Sequence, residues 1–447
     1  MTARARPTSR SAVLRARGVA LVRTARGSAF VRHVTLLMTG TAVAHLVTVL
    51  ATPLLTRLYT PSDYGINAAY LAAVSVLGPM AALRYDFAIV AARDERDAML
   101  LRGLAMHLVA LAAVLTLVLI AGLHWIAGGN LLRHLGALSW LLPLSVLAAG
   151  AVVVLGSVLN RRQDYPSMVR GKLVAAWTSA LVPLVWFAAV RRSTPAALIV
   201  GGLAGTTVAA LLLTRRLGPE RLLPRVRWAR YRVTARRYSR FVRFSLVITA
   251  IDQLSAGIPL WVLNDRGSTA IGAQFALANS MLRLPGVLVG QAVGQVMYEH
   301  AARLRASPEE VAALVRRNVL VLSLLALIPL AVVMATGPDL FALVFGAEWR
   351  VAGEYGRLLM PAVAVWFVAS PLTLVPTATG HQDILLRFIS LNAALRLGGL
   401  AIGLRQDSPD LAVLLLGAGE AASGMAFLIW LWRASARGGL AATPCAS

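Results

Sequence analysis

A single cysteine, Cys445, stands near the end of a 447-residue sequence. That scarcity excludes a disulfide framework and a thiolate metal cluster. Acid is scarce as well: 19 aspartates and glutamates face 44 lysines and arginines, a formal net charge of +25. Charged residues of both signs make up only 14% of the chain, so the mean hydropathy is +0.71 beside a pI near 11.6. No zinc-ligand spacing, phosphate-cradling glycine loop or nucleophile elbow occurs, so no metal or cofactor site is expected. Gly-Ala-Gly-Glu at 417–420 reads as small-residue packing rather than a nucleotide site. The longest stretch between apolar runs, 214–243, has no room for a folded catalytic domain. A high pI alone suggests nucleic acid. Here the basic residues alternate with apolar blocks, which is how the loops of a membrane protein look.

Long apolar runs are what the sequence has in quantity. A run of about twenty residues crosses a bilayer, since a helix rises about 1.5 Å per residue and the hydrocarbon core is about 30 Å thick. The pattern predicts an all-α membrane protein of about twelve transmembrane helices. They fall at 34–56, 66–91, 99–127, 138–158, 169–190, 196–213, 244–263, 270–297, 318–336, 358–378, 384–404 and 410–432. The first run is expected to be a retained helix, because no short apolar core with a small-residue cleavage site precedes it. With the N-terminus in the cytoplasm, arginine concentrates inside: Arg4 to Arg32, then Arg161, Arg162 and Arg170, then Arg215 to Arg243. Outside loops hold fewer, and the opposite orientation would export the basic segment 214–243, against the positive-inside rule. An even count returns the C-terminus, with Arg433 and Arg437, to the cytoplasm.

This organisation reads as a duplicated bundle. A basic arm, 1–33, leads into a six-helix lobe, 34–213. A basic linker, 214–243, connects to a second lobe, 244–432, and a tail, 433–447. Parallel repeats of this kind relate two halves by a pseudo-two-fold axis. The linker either anchors topology or lies on the anionic leaflet through Trp228, Tyr231 and Tyr238. A short polar connector with a glycine precedes both span two and span eight, and aligning Gly65 with Gly272 sets His45 opposite Asp252.

A charge at the bilayer centre costs about 2.5–3.5 kcal/mol on insertion scales, so it faces a cavity or a partner. Helical spacing places Thr41, His45, Thr48 and Thr52 on one side of span one. Span seven gathers Ser245, Thr249 and Asp252, with Gln253 adjacent. Span eight gathers Asn279, Arg283, Gly286 and Gly290, flanked by Gln291 and Gln295. Span eleven aligns Asn392, Arg396, Gly399 and Gly403. Small-residue stripes by themselves also serve helix packing. Arg283 and Arg396 argue further, for a shared aqueous cavity with positive charge. Asp252 is either an ion-coupling carboxylate or a partner for one of those arginines. His45 suits helix packing or protonation. Arg84 and Asp86 are two apart in span two and point roughly oppositely, so they cannot both face one cavity; near the cytoplasmic end, either can snorkel to the interface.

Several of these segments resemble one family. Leu58-Tyr-Thr-Pro-Ser-Asp-Tyr-Gly65 and Leu83-Arg-Tyr-Asp-Phe-Ala-Ile-Val90 are similar to the opening of the polysaccharide transporter family, the Wzx-type flippases, with Asp86 where that family usually has glutamate. In the second half the likeness rests on Ala276-Leu-Ala-Asn279, Leu284-Pro285, Gly290-Gln-Ala-Val-Gly-Gln-Val-Met-Tyr298, Phe345-Gly-Ala-Glu-Trp349 and Ala352-Gly-Glu-Tyr355. The resemblance implies membership of the multidrug/oligosaccharidyl-lipid/polysaccharide exporter superfamily, with two lobes in a V and alternating access. It implies a transporter, not an enzyme, in the bacterial cytoplasmic membrane. Its cargo would be a polyprenyl-pyrophosphate-linked oligosaccharide for O-antigen, capsule or exopolysaccharide, with a polymerase and glycosyltransferases as pathway partners. Proton or sodium coupling stays open. A multidrug or cation antiporter of the related branch is the alternative, and an integral membrane glycan-processing enzyme a more distant one.

Overall fold

The computed structural model describes residues 35–126, 135–217, 228–266, 268–304, 308–379 and 382–437. Among them there is helix and no strand. The long helices are α1 (Thr35–Leu58), α2 (Pro61–Met80), α3 (Tyr85–Ala91), α4 (Glu95–Ile126), α5 (Leu142–Arg161), α6 (Tyr165–Val190) and α7 (Pro195–Leu217) in the first half. The second half holds α8 (Trp228–Arg266), α9 (Thr269–Leu304), α10 (Pro308–Phe345), α11 (Arg350–Leu372), the short α12 (Leu374–Thr379), α13 (Gln382–Arg405) and α14 (Pro409–Ala436). Among the described residues ten helices are long and apolar enough to cross a membrane, or eleven if α2 and α3, bent at 45°, count as one span, where about twelve were expected. The remaining long helix, α9, has 36 residues but carries Gln274, Asn279 and Arg283, which lower its hydropathy. The protein is a multi-pass, all-helical membrane protein.

Three expectations need correction. The span expected over 66–91 is broken: α2 and α3 meet at 45°. Leu83 and Arg84 have φ of 46° and 62° there, a left-handed conformation that ends a right-handed helix. The separation of Arg84 and Asp86 by helical angle therefore fails, and the two side chains lie 3.7 Å apart. The basic linker is shorter than 214–243. Helix α7 runs on to Leu217 and α8 starts at Trp228, while 218–227 lies outside the described residues, as do the arm 1–33 and most of the tail. Lastly, the start of α8 docks on protein. Tyr231 is buried and meets His107 of α4. Asp97 of α4 accepts from Arg237 and from the Tyr238 hydroxyl, each at 3.0 Å. Trp228 touches His107 as well but stays exposed.

The Leu-Tyr-Thr-Pro-Ser-Asp-Tyr-Gly segment is a helix start. Thr60 caps α2, accepting from the Asp63 amide, and the Asp63 carboxylate accepts from the Thr60 amide at 3.2 Å. Pro61 fills the first turn, where its missing N–H costs nothing. The Tyr59 hydroxyl donates to the Pro183 carbonyl at 2.7 Å. Gly65 and Gly272, expected in connectors, are the fifth residue of α2 and the fourth of α9, and both lie against Asn264 of α8. The Asn264 amide donates to the Gly65 carbonyl at 3.0 Å. A Cβ on Gly65 would collide with the Thr269 carbonyl, and one on Gly272 with the Asn264 side chain. Gly272→Ala is expected to destabilise by about 1–3 kcal/mol, the usual cost of overpacking, read as a lower melting temperature in detergent.

The halves touch here, at one end of the molecule. Trp349 is fully buried and donates to the Thr56 carbonyl at 3.0 Å. Tyr64 meets it edge-on at 5.2 Å. Ser62 and Thr269 share a 2.7 Å hydrogen bond, and Arg57 donates to the Leu343 carbonyl at 3.0 Å. Two segments far apart in sequence, 58–65 and 345–349, thus close this end together.

Candidate substrate cavity

Away from these contacts, beside the end of α2, the middle of α8 and the first half of α13, a cavity of about 700 Å³ opens between the helices. Arg84, Asp252, Gln253, Asn279, Arg283, Asn392 and Arg396 all line it. Helix spacing brings Asn279 and Arg283 of α9 together, and Arg283 Nε donates to Asn279 Oδ1 at 2.6 Å. The same spacing sets Asn392 and Arg396 one turn apart on α13. Arg84 reaches the cavity because the break after α2 turns it inward; its guanidinium lies 3.9 Å from the centre of the Phe87 ring.

One candidate stands apart, and another is not described. His45 of α1 is half-buried and does not line the cavity. The threonines beside it serve local structure: Thr52 donates to the Thr48 carbonyl at 2.7 Å, and Thr48 to that of Ala44. Gln291 lies on α9, but its side chain is outside what is described. Gly399 and Gly403 do not face the cavity either. A Cβ on either would strike the α14 backbone, at Leu415 and Ala412, so this part of the α13 stripe packs helices.

Glu420 organises the cavity, and the sequence reading passed over it. Gly417 and Gly419 beside it do pack tightly, against Leu358 and Leu395. Glu420 itself is 2% exposed and lines the cavity. Its carboxylate accepts from Arg283 at 2.6 Å and lies 4.0 Å from Arg396. Its carbonyl accepts from the Trp366 indole at 3.0 Å. One turn on, Ser423 donates to Asn392 Oδ1 at 2.7 Å. The rule that singled out the arginines, an ionisable residue inside an apolar span, would have found Glu420 too.

The lining therefore carries Arg84, Arg283 and Arg396 against Asp252 and Glu420. Arg283 keeps about a quarter of its side chain exposed to the cavity. Arg396 is almost fully buried, and its Nε has no hydrogen-bond partner. A buried donor without a partner is costly unless something polar comes to meet it. Asp252 is exposed to the cavity and accepts from Gln253 at 3.3 Å. Ser370 and Thr373 add hydroxyls, and Trp366, Phe367, Phe388 and Phe427 add aromatic faces. Among the described residues no group of His, Cys, Asp or Glu is arranged to hold a metal ion.

The profile of the family described as "Polysaccharide biosynthesis protein" matches residues 54–354. A search of curated proteins finds no match. Among solved structures, the chain is similar to the lipid II flippase MurJ in an inward closed conformation, with a TM-score of 0.71 at 10% identity over 90% of this chain and 91% of that one. It is similar to an inward-facing multidrug resistance MATE family transporter of the MOP superfamily, with a TM-score of 0.62 at 15% identity over 91% and 95%. A MOP superfamily transporter from Pyrococcus furiosus gives 0.61 at 13% identity over 91% and 96%. At such identities the likeness establishes the fold: two six-helix lobes in the V-shaped arrangement of that superfamily.

Proposed function

The chain belongs to the polysaccharide biosynthesis protein family, and from that premise we propose that it is a flippase. Its cargo is a polyprenyl-pyrophosphate-linked oligosaccharide, carried from the inner to the outer leaflet of the bacterial cytoplasmic membrane for surface polysaccharide assembly. The observation that carries this reading is the cluster of Arg84, Arg283 and Arg396 on one cavity wall-set, with amides and hydroxyls around it. Guanidinium groups match phosphate oxygens with paired donors. Sugar hydroxyls would each cost several kcal/mol in hydrocarbon, so they need the polar lining. The prenyl tail stays in lipid. With a cytoplasm-negative potential, moving the anionic head outward is favourable by about 2.3 kcal/mol per charge per 100 mV, so no nucleotide hydrolysis is required. Asp252, exposed to the cavity, is where proton or sodium coupling would act.

The basic segments orient both termini toward the cytoplasm, so the cavity lies on the cytoplasmic side and the contacts around Trp349 form the outer seal. This supports an inward-facing state of an alternating-access cycle. Linking the seal should stop that cycle. In a background with Cys445→Ser, the pair Ser62→Cys and Thr269→Cys replaces a 2.7 Å hydroxyl contact. Oxidation is expected to abolish flipping and reductant to restore it. Unimpaired flipping in the crosslinked protein would mean the lobes need not part there.

A cation antiporter is the second reading, favoured by Asp252 and Glu420 in the lining. Glu420 is held by Arg283 and flanked by Arg396, which weakens its appeal to a cationic drug. Deletion decides between the two. Loss of surface glycan with lipid-linked repeat units held inside supports the flippase. Intact glycan with heightened sensitivity to cationic drugs supports the antiporter.

A further inference from the structure

A second pocket, of about 370 Å³, lies in the first lobe between α5, α6 and α7. Its cation is Lys172. Of the 44 lysine and arginine side chains in the sequence, Lys172 alone is a lysine. We propose that this pocket is a phosphate-binding site, in which Lys172 receives the phosphate of a lipid headgroup.

Lys172 Nζ donates to Thr41 Oγ1 of α1 at 2.9 Å, which leaves two of its three donors for another acceptor. Ser157 and Asn160, one turn apart on α5, line the same space, as does Thr206 of α7. Gly156 has nothing over it where a side chain would stand, so the pocket keeps its room. No carboxylate lies within ion-pair distance of Lys172 among the described residues. Tying α1 to α6 does not call for this charge, because Gly40 already packs on Val169. An ammonium is a compact point charge suited to a single phosphate, where arginine suits a flat, paired contact. Lys172 lies seven residues into α6, about 10 Å along its axis. The pocket is therefore near the end at which α5 finishes and α6 starts. Basic pockets between transmembrane helices on the cytoplasmic side take anionic headgroups. The leaflet assignment rests on the orientation proposed above; the pocket's chemistry does not.

The phosphate can come from a prenyl pyrophosphate or from an anionic phospholipid, and the sole ε-amine offers a direct probe. The full chain, in phosphatidylcholine nanodiscs, is acylated with an amine reagent, and the Lys172 peptide is followed by mass spectrometry. A bound phosphate is expected to slow acylation about tenfold when the probe is at about ten times its Kd. Protection by farnesyl pyrophosphate assigns the pocket to prenyl-linked cargo. Protection by phosphatidylglycerol alone assigns it to a resident phospholipid, and the pocket then stands whether or not the flippase reading does. Equal acylation with both probes and with neither overturns the proposal. So does protection that disappears in Arg283→Ala, since that would place the phosphate in the other cavity.

Discussion

Glu420→Ala is expected to cost about 3–5 kcal/mol of stability, the usual penalty for breaking a buried ion pair from one side. Glu420 is the buried carboxylate between Arg283 and Arg396. Without it, Arg396 is left almost fully buried, beside a second guanidinium and with no counter-charge touching it. The measurement is thermal unfolding in detergent against the parent protein. Adding Arg396→Leu to Glu420→Ala should recover much of the loss, because Arg283 still reaches the cavity and Asn279. That recovery separates an uncompensated charge from simple loss of packing. A Glu420→Ala protein as stable as the parent would mean that water in the cavity solvates both arginines.

Arg283→Ala and Arg396→Ala are expected to lower flipping by about ten- to a hundredfold, the worth of a hydrogen bond to a charged group. Expression should persist, since either variant leaves Glu420 one guanidinium. Both effects can be read from surface glycan and from lipid-linked precursor retained inside. Arg283→Lys is the informative companion. It keeps the charge but loses the planar pair of donors, so partial activity is expected where a pyrophosphate is gripped by two parallel bonds. Normal glycan display in both alanine variants would remove these residues from the transport path.

The two sets of effects are separable because the cavity serves two masters. Glu420 holds Arg283 and lies beside Arg396, while about a quarter of the Arg283 side chain stays exposed, where the proposed cargo would meet it. A neutral cavity would be cheaper to bury and would have nothing to offer an anion.

Helix content and most of the membrane spans were legible in the sequence, although the runs suggested about twelve spans where ten or eleven helices qualify among the described residues. They depend on local quantities: an apolar run of fixed length, and the cost of carrying arginine across a membrane. The polar faces of α8, α9 and α13 were legible for the same reason, because helical spacing is local. Tertiary structure decided what those faces meet. Arg84 turns inward only because two residues adopt left-handed backbone conformations, and Tyr64 finds Trp349 only once two lobes close. Glu420 looked like one more residue in a glycine-rich turn of helix until α9 and α13 brought two guanidiniums to it. Local sequence records what each helix can bury; which charges neutralise one another depends on how helices distant in sequence pack, here α9, α13 and α14 of the second half.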